Sequence, residues 1–177
     1  IEDGSVIKTD RPSKSGDLFE DLLFRNIIPS PTPLIKRKCF QQVGKFDTAL
    51  PSSQDYDMWL RIAKEFKISS IPESLAQISR DDSDRISDNM ERKYQGKKHL
   101  VDKHHFDLKS RPKSLSRHLK QLGLYSMYSN RRNEARKYFL SAFLHDVTNT
   151  IALGYGLITL LPHPVRERIF YYRKEYV

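Results

Sequence analysis

The residues of this chain best suited to chemistry lie in the run Gln54-Asp55-Tyr56-Asp57-Met58-Trp59-Leu60-Arg61. Two carboxylates stand two residues apart where a helical pattern begins, and Tyr56, Trp59, Leu60, Ala63 and Phe66 recur at the spacing of one helical face. A helix start favours the ionised form of a carboxylate through the dipole and the unbonded backbone N–H groups. Held on so rigid an element, a charged carboxylate can take a proton from a hydroxyl within hydrogen-bond reach. Asp55 is the candidate for that role, whereas Asp57 precedes Arg61 by four residues and suits an ion pair along the helix. Trp59 suits the core, although an indole beside a cleft can also stack on a ligand. The same Ser52-Ser53-Gln54-Asp55 run is what an ordinary acidic helix start looks like, so spacing alone leaves both readings open.

The elements that must position these residues follow from the patterning. Ser15 to Phe24 reads as a capped helix, ended near Asn26. Pro29, Pro31 and Pro33 force an extended path into a short strand at Leu34-Ile35. A second helix spans Arg37 to Val43 and closes at Gly44, and the acidic helix follows from Ser52 to Phe66. Lys67 to Pro72 and Ser74 to Ile78 read as short strands, and residues 1 to 12 as a strand or hairpin edge. From Ser87 onward every segment has helical period: about Asn89 to His105, Leu115 to Tyr128, Asn133 to His145, Asn149 to Leu161 and Pro164 to Tyr172. Leu119, Leu122 and Tyr125 face Ala135, Tyr138, Phe139, Ala142 and Phe143 across a polar turn, which resembles one tetratricopeptide-type hairpin. The expected organisation is two domains, 1–110 and 111–177, the first an α/β unit and the second all-helical, with helix predominating overall.

Composition narrows the function classes. With 177 residues, 38% hydrophobic and 11% aromatic, the chain can bury a core and is not a solvated tail. Its formal net charge of +9, from 31 Lys+Arg against 22 Asp+Glu, attracts polyanions without choosing among nucleic acid, acidic membrane and phosphorylated substrate. The basic residues are scattered, and no zinc-finger or RNA-binding signature accompanies them, so no specific nucleic acid is expected. The single cysteine, Cys39, precludes an intramolecular disulfide. The six histidines show no metal-ligand spacing, and no Gly-rich nucleotide motif occurs. The longest apolar stretch, Ile151 to Pro164, is too short and too interrupted to span a bilayer. Arg166, Arg168, Arg173 and Lys174 beside Phe170, Tyr171 and Tyr172 suit peripheral contact with an anionic membrane, with a solvated helix face as the simpler alternative.

Val43-Gly44-Lys45-Phe46-Asp47, the gap through Pro51, and the QDYDMWLR run together resemble the family 2 glycosyltransferases. There a "vGgFDe" segment precedes a "(E/Q)DxDlWlRl" helix start, and Leu34-Ile35-Lys36-Arg37 resembles the preceding "s.vlirr" strand. The resemblance covers roughly Gly16 to His104. It implies an A-type glycosyltransferase fold, of which this chain would be the acceptor-side part without the nucleotide-binding half, and inverting transfer of a sugar from a nucleotide-sugar donor to a saccharide or lipid-linked acceptor. It also implies Asp55 as catalytic base, with Gln54, Asp57 and Trp59 near the substrate. Ser79 to Ser87 sits where the family has "yr.h…s.S". Arg80 stands near the His position, which argues against metal ligation there, and Arg80 or Arg85 could clamp pyrophosphate. A divalent metal, Mg or Mn, is implied for the full-length enzyme, on ligands outside this chain, since no Asp-x-Asp precedes Asp17. A cytoplasmic location is expected, with peripheral contact at the inner face of the membrane. The competing reading is a non-catalytic, basic helical binding module.

Overall fold

A computed structural model describes residues 11–76, 89–162 and 164–165. They form eight helices: α1 (Phe19–Phe24), α2 (Arg37–Val43), α3 (Gln54–Glu65), α4 (Met90–Lys103), α5 (His105–Lys109), α6 (Pro112–Tyr128), α7 (Arg132–His145) and α8 (Thr150–Ile158). The chain divides into two compact units, Ile1–Leu100 and Val101–Val177.

The expected α/β architecture is overturned: the described residues contain no β-strand, and their one extended pairing is an isolated antiparallel bridge between Gly16 and Ile68. That bridge exchanges two backbone hydrogen bonds, Gly16 N to Ile68 O at 2.7 Å and Ile68 N to Gly16 O at 2.8 Å. It does not extend into a ladder, and no A-type sheet is present among the described residues. The reason is pairing rather than propensity. A strand exists only where a neighbour meets its N–H and C=O groups, and Pro33 and Pro72 each remove a donor. Leu34, expected in a strand, is wholly exposed, and Pro33 and Ile35 on either side of it are half-buried. The expectations for residues 1–10, 77–88 and 166–177, the last including most of the Pro164-to-Tyr172 helix, lie outside the described residues.

In the first unit α3 is the central element. Tyr56, Asp57, Met58, Trp59 and Leu60 are five consecutive buried residues, so α3 is enclosed on nearly all sides rather than along one stripe. Leu22 and Leu23 of α1 are fully buried beside it, and the Tyr56 hydroxyl donates to the Leu22 carbonyl. Gly44 ends α2 at φ 82°, ψ −175°, a conformation open to glycine and strained for any other residue.

In the second unit α6 and α7 form the expected helical hairpin, turning at Ser129-Asn130-Arg131 with Asn130 at φ 56°. Pro112 occupies the first position of α6, where its missing N–H costs no hydrogen bond. The two helices approach closely because Gly123 has no side chain: a Cβ there would stand 2.5 Å from the Phe139 ring. Phe139 is fully buried and stacks on Tyr155 of α8 at 5.4 Å. The ends of α8 are tied by polar side chains. Asn149 caps Ala152 N and donates to Ser116 Oγ at 2.9 Å, while Arg132 and Arg136 donate to the Thr159 carbonyl at 2.7 and 3.0 Å.

Candidate functional site

The loop from Gly44 to Ser53 and the first turn of α3 are held in place from inside. Asp57 is fully buried and paired with Arg61: Nε lies 2.9 Å and Nη2 2.8 Å from its Oδ2. Arg61 then donates to the carbonyls of Val43 and Lys45, the latter at 2.9 Å, so one guanidinium joins α3 to the segment that leaves α2. A planar fork with five donors can satisfy a carboxylate and two carbonyls together, which an ammonium cannot. The i,i+4 spacing therefore does appear as an ion pair, and its role is to fix the Val43-to-Asp47 turn against α3. Asp47 shapes the next turn, its carboxylate accepting from Ala49 N at 3.0 Å.

The helix start differs from the serine cap expected of it. Ser53 takes the N-cap position in a left-handed conformation, φ 65°, ψ 23°, with no side-chain cap bond, and Ser52 is turned away to donate to the Arg92 carbonyl of α4 at 3.0 Å. Gln54 folds back onto the Leu50 carbonyl at 2.7 Å. Asp55 lies in the first turn, half-buried, and its carboxylate has no hydrogen bond or ion pair among the described residues. A carboxylate in contact with solvent beside the N–H groups of a helix start is able to accept a proton or a hydroxyl hydrogen bond. Trp59 is 4% exposed and meets the exposed Phe46 edge-on at 6.4 Å, a core position that leaves no face open for stacking on a sugar. Its indole N–H is buried without a partner. The structure thus brings Gln54, Asp55, Asp57 and Trp59 onto one helix. Arg80 and Arg85 lie outside the described residues.

Two contributors were not singled out in the sequence. Lys97 of α4 is 6% exposed, and its ammonium sits over the Tyr56 ring, 5.4 Å from the centroid. The cation rests on the face of an aromatic ring that attracts it. Beside it, Gly96 lets α4 press against the α3 entry loop: a Cβ would lie 2.2 Å from Ser52 Oγ and 2.5 Å from Ser52 O. The lone glycine inside the helical pattern of residues 90–103 was the available signal, since such a glycine marks close backbone approach. Among the described residues no group of three or more His, Cys, Asp or Glu side chains could hold a metal ion. No helix among them is long and apolar enough to cross a membrane.

Comparison with known proteins gives a short, consistent pointer. The chain is 45% identical over 71 residues to an uncharacterized glycosyltransferase of Rickettsia bellii (strain RML369-C), covering 40% of this chain and 9% of that protein. It is 43% identical over 42 residues to an uncharacterized glycosyltransferase of Rickettsia felis (strain ATCC VR-1525 / URRWXCal2), covering 24% of this chain and 7% of that protein. The matched segments are thus under a tenth of the length of either relative. No protein-family profile matches the chain, and no solved structure matches it.

Proposed function

We propose that this chain contributes the acceptor-side residues of a glycosyltransferase of the family 2 type, with Asp55 as the base of an inverting transfer. The observation that carries the reading is the Asp55 carboxylate, half-buried and unpartnered on a helix start braced by the Asp57–Arg61 pair. In the proposed step Asp55 removes the proton of an acceptor hydroxyl as its oxygen attacks the anomeric carbon of a nucleotide-sugar, and the nucleoside diphosphate leaves from the opposite face. The glycosyltransferase names of the Rickettsia proteins support the same class. Donor binding and the divalent metal are assigned to residues outside this chain, and the cytoplasmic face of the membrane is the proposed setting.

The second reading, a non-catalytic helical interaction module, draws on the absence of a sheet among the described residues. Transfer from a panel of radiolabelled nucleotide-sugars separates the two, using the longer protein that carries this segment. Asp55→Asn keeps the size of the side chain and most of its hydrogen bonding but removes the proton acceptor. It is expected to lower turnover by roughly 10²–10⁴-fold with donor binding retained. Transfer at the parental rate by the variant would reduce Asp55 to a residue of an ordinary helix start.

A further inference from the structure

An open depression of about 520 Å³ lies wholly in the second unit, where α6 begins and α7 ends. One wall is the first turn of α6. No side chain caps that 17-residue helix, and Pro112 at its first position has no N–H, so the N–H groups of Lys113 and Ser114 have no intrahelical acceptor. Ser114 is only 7% exposed, lines the depression, and makes no hydrogen bond among the described residues. Its hydroxyl keeps access to the open space of the depression, beside a positive helix end, and is free to bond a ligand there. The exposed ammonium of Lys113 borders the same space without an ion pair. Arg111 is committed elsewhere, to the Asp107 carbonyl at 3.0 Å and Ser110 Oγ at 2.7 Å.

The opposite wall has different chemistry. Asp146 spends Oδ1 on the Thr148 N–H at 3.1 Å and the Thr148 hydroxyl at 2.6 Å, leaving Oδ2 to accept. His145 engages the Ser141 carbonyl through Nδ1 at 2.8 Å, which leaves Nε2 for a second partner. This carboxylate repels a bare anion but accepts from a hydroxyl, and the depression is far larger than one inorganic phosphate. Leu144 and Val147 supply apolar surface between the walls.

We propose that this depression binds a phosphorylated sugar or polyol, with the phosphate on Lys113, Ser114 and the α6 N–H groups, and with ligand hydroxyls on Asp146 and His145. The inference does not depend on the role given to Asp55. Its test is calorimetric titration of the whole chain with glucose 6-phosphate, inorganic phosphate and glucose, repeated for Lys113→Glu, Ser114→Ala and the exposed control Lys137→Glu, which does not line the depression, with helical content checked by circular dichroism. The ester is expected to saturate and to bind at least about tenfold more tightly than inorganic phosphate, with glucose alone not binding. Lys113→Glu should weaken the ester by about tenfold or more, Ser114→Ala by several-fold, and Lys137→Glu hardly at all. No saturation by the ester, equal affinity for ester and inorganic phosphate, or unchanged binding in folded Ser114→Ala would each overturn the proposal.

Discussion

The two units solve the same problem, holding short helices together, by different means. In the first, the contacts that set the geometry are polar and one-off: Arg61 joins Asp57 to two loop carbonyls, Tyr56 bonds a carbonyl of α1, and Ser52 bonds a carbonyl of α4. In the second, the hairpin rests on apolar interlocking, with Gly123 admitting Phe139 and Phe139 stacking on Tyr155, while polar groups serve the helix ends. Polar contacts of fixed direction can hold irregular loops and a left-handed Ser53, whereas apolar packing tolerates only regular elements whose own backbone groups are already paired. The unit with irregular backbone is the one that carries Asp55 on a helix start.

The comparison can be broken most sharply at Phe139. Phe139→Ala leaves a cavity under α6, α7 and α8, and a loss of about 3–5 kcal/mol is expected in urea unfolding followed by helical circular dichroism. A loss near 1 kcal/mol would mean that the hairpin does not depend on apolar interlocking. The matching cut in the first unit is Asp57→Ala, which leaves the Arg61 guanidinium without its buried counter-charge. About 3 kcal/mol is expected, read from the fluorescence of Trp59, the only tryptophan in the chain. An unchanged Trp59 transition would show the polar brace to be incidental. A smaller effect sharpens the role of polar groups in the second unit: Asn149→Ala removes the cap of α8 and the bond to Ser116, at an expected cost of about 1 kcal/mol by thermal unfolding.

The smallest effect is electrostatic. Burial raises the Tyr125 phenol above its ordinary value of 10.0, partly offset by the hydrogen bond from Gln121. The folded state therefore holds this proton more tightly than the unfolded chain. Its contribution to stability is whole below pH 10 and is lost as pH rises through the raised value. Between wild type and Tyr125→Phe, the difference in stability should be flat at neutral pH and change only above pH 10.

Much of the helical layout was legible. The Arg37-to-Val43 helix closing at Gly44, and the hairpin split at residues 129–131, follow from period, proline and positive-φ positions that act within a few residues. At the site the acidic start of α3 and the Asp57–Arg61 pair were equally local. What was misread depended on partners elsewhere in the chain. Leu34-Ile35 and Lys67-to-Ile71 have strand-like composition, yet no neighbouring backbone extends them beyond the Gly16–Ile68 bridge. Trp59 was open to either a core or a sugar-stacking role until its 4% exposure placed it inside. Lys97 looked like one more scattered basic residue, because its position over Tyr56 exists only once Gly96 lets α4 close on the Ser52 loop. The sequence alone determined that a helix spans Arg37 to Val43 and which acid heads α3, since dipoles and periodicity act over three or four residues. Tertiary structure alone decided that no sheet forms among the described residues, which aromatic is buried and which cation rests on the Tyr56 ring, because each of those depends on surfaces brought together from distant parts of the chain.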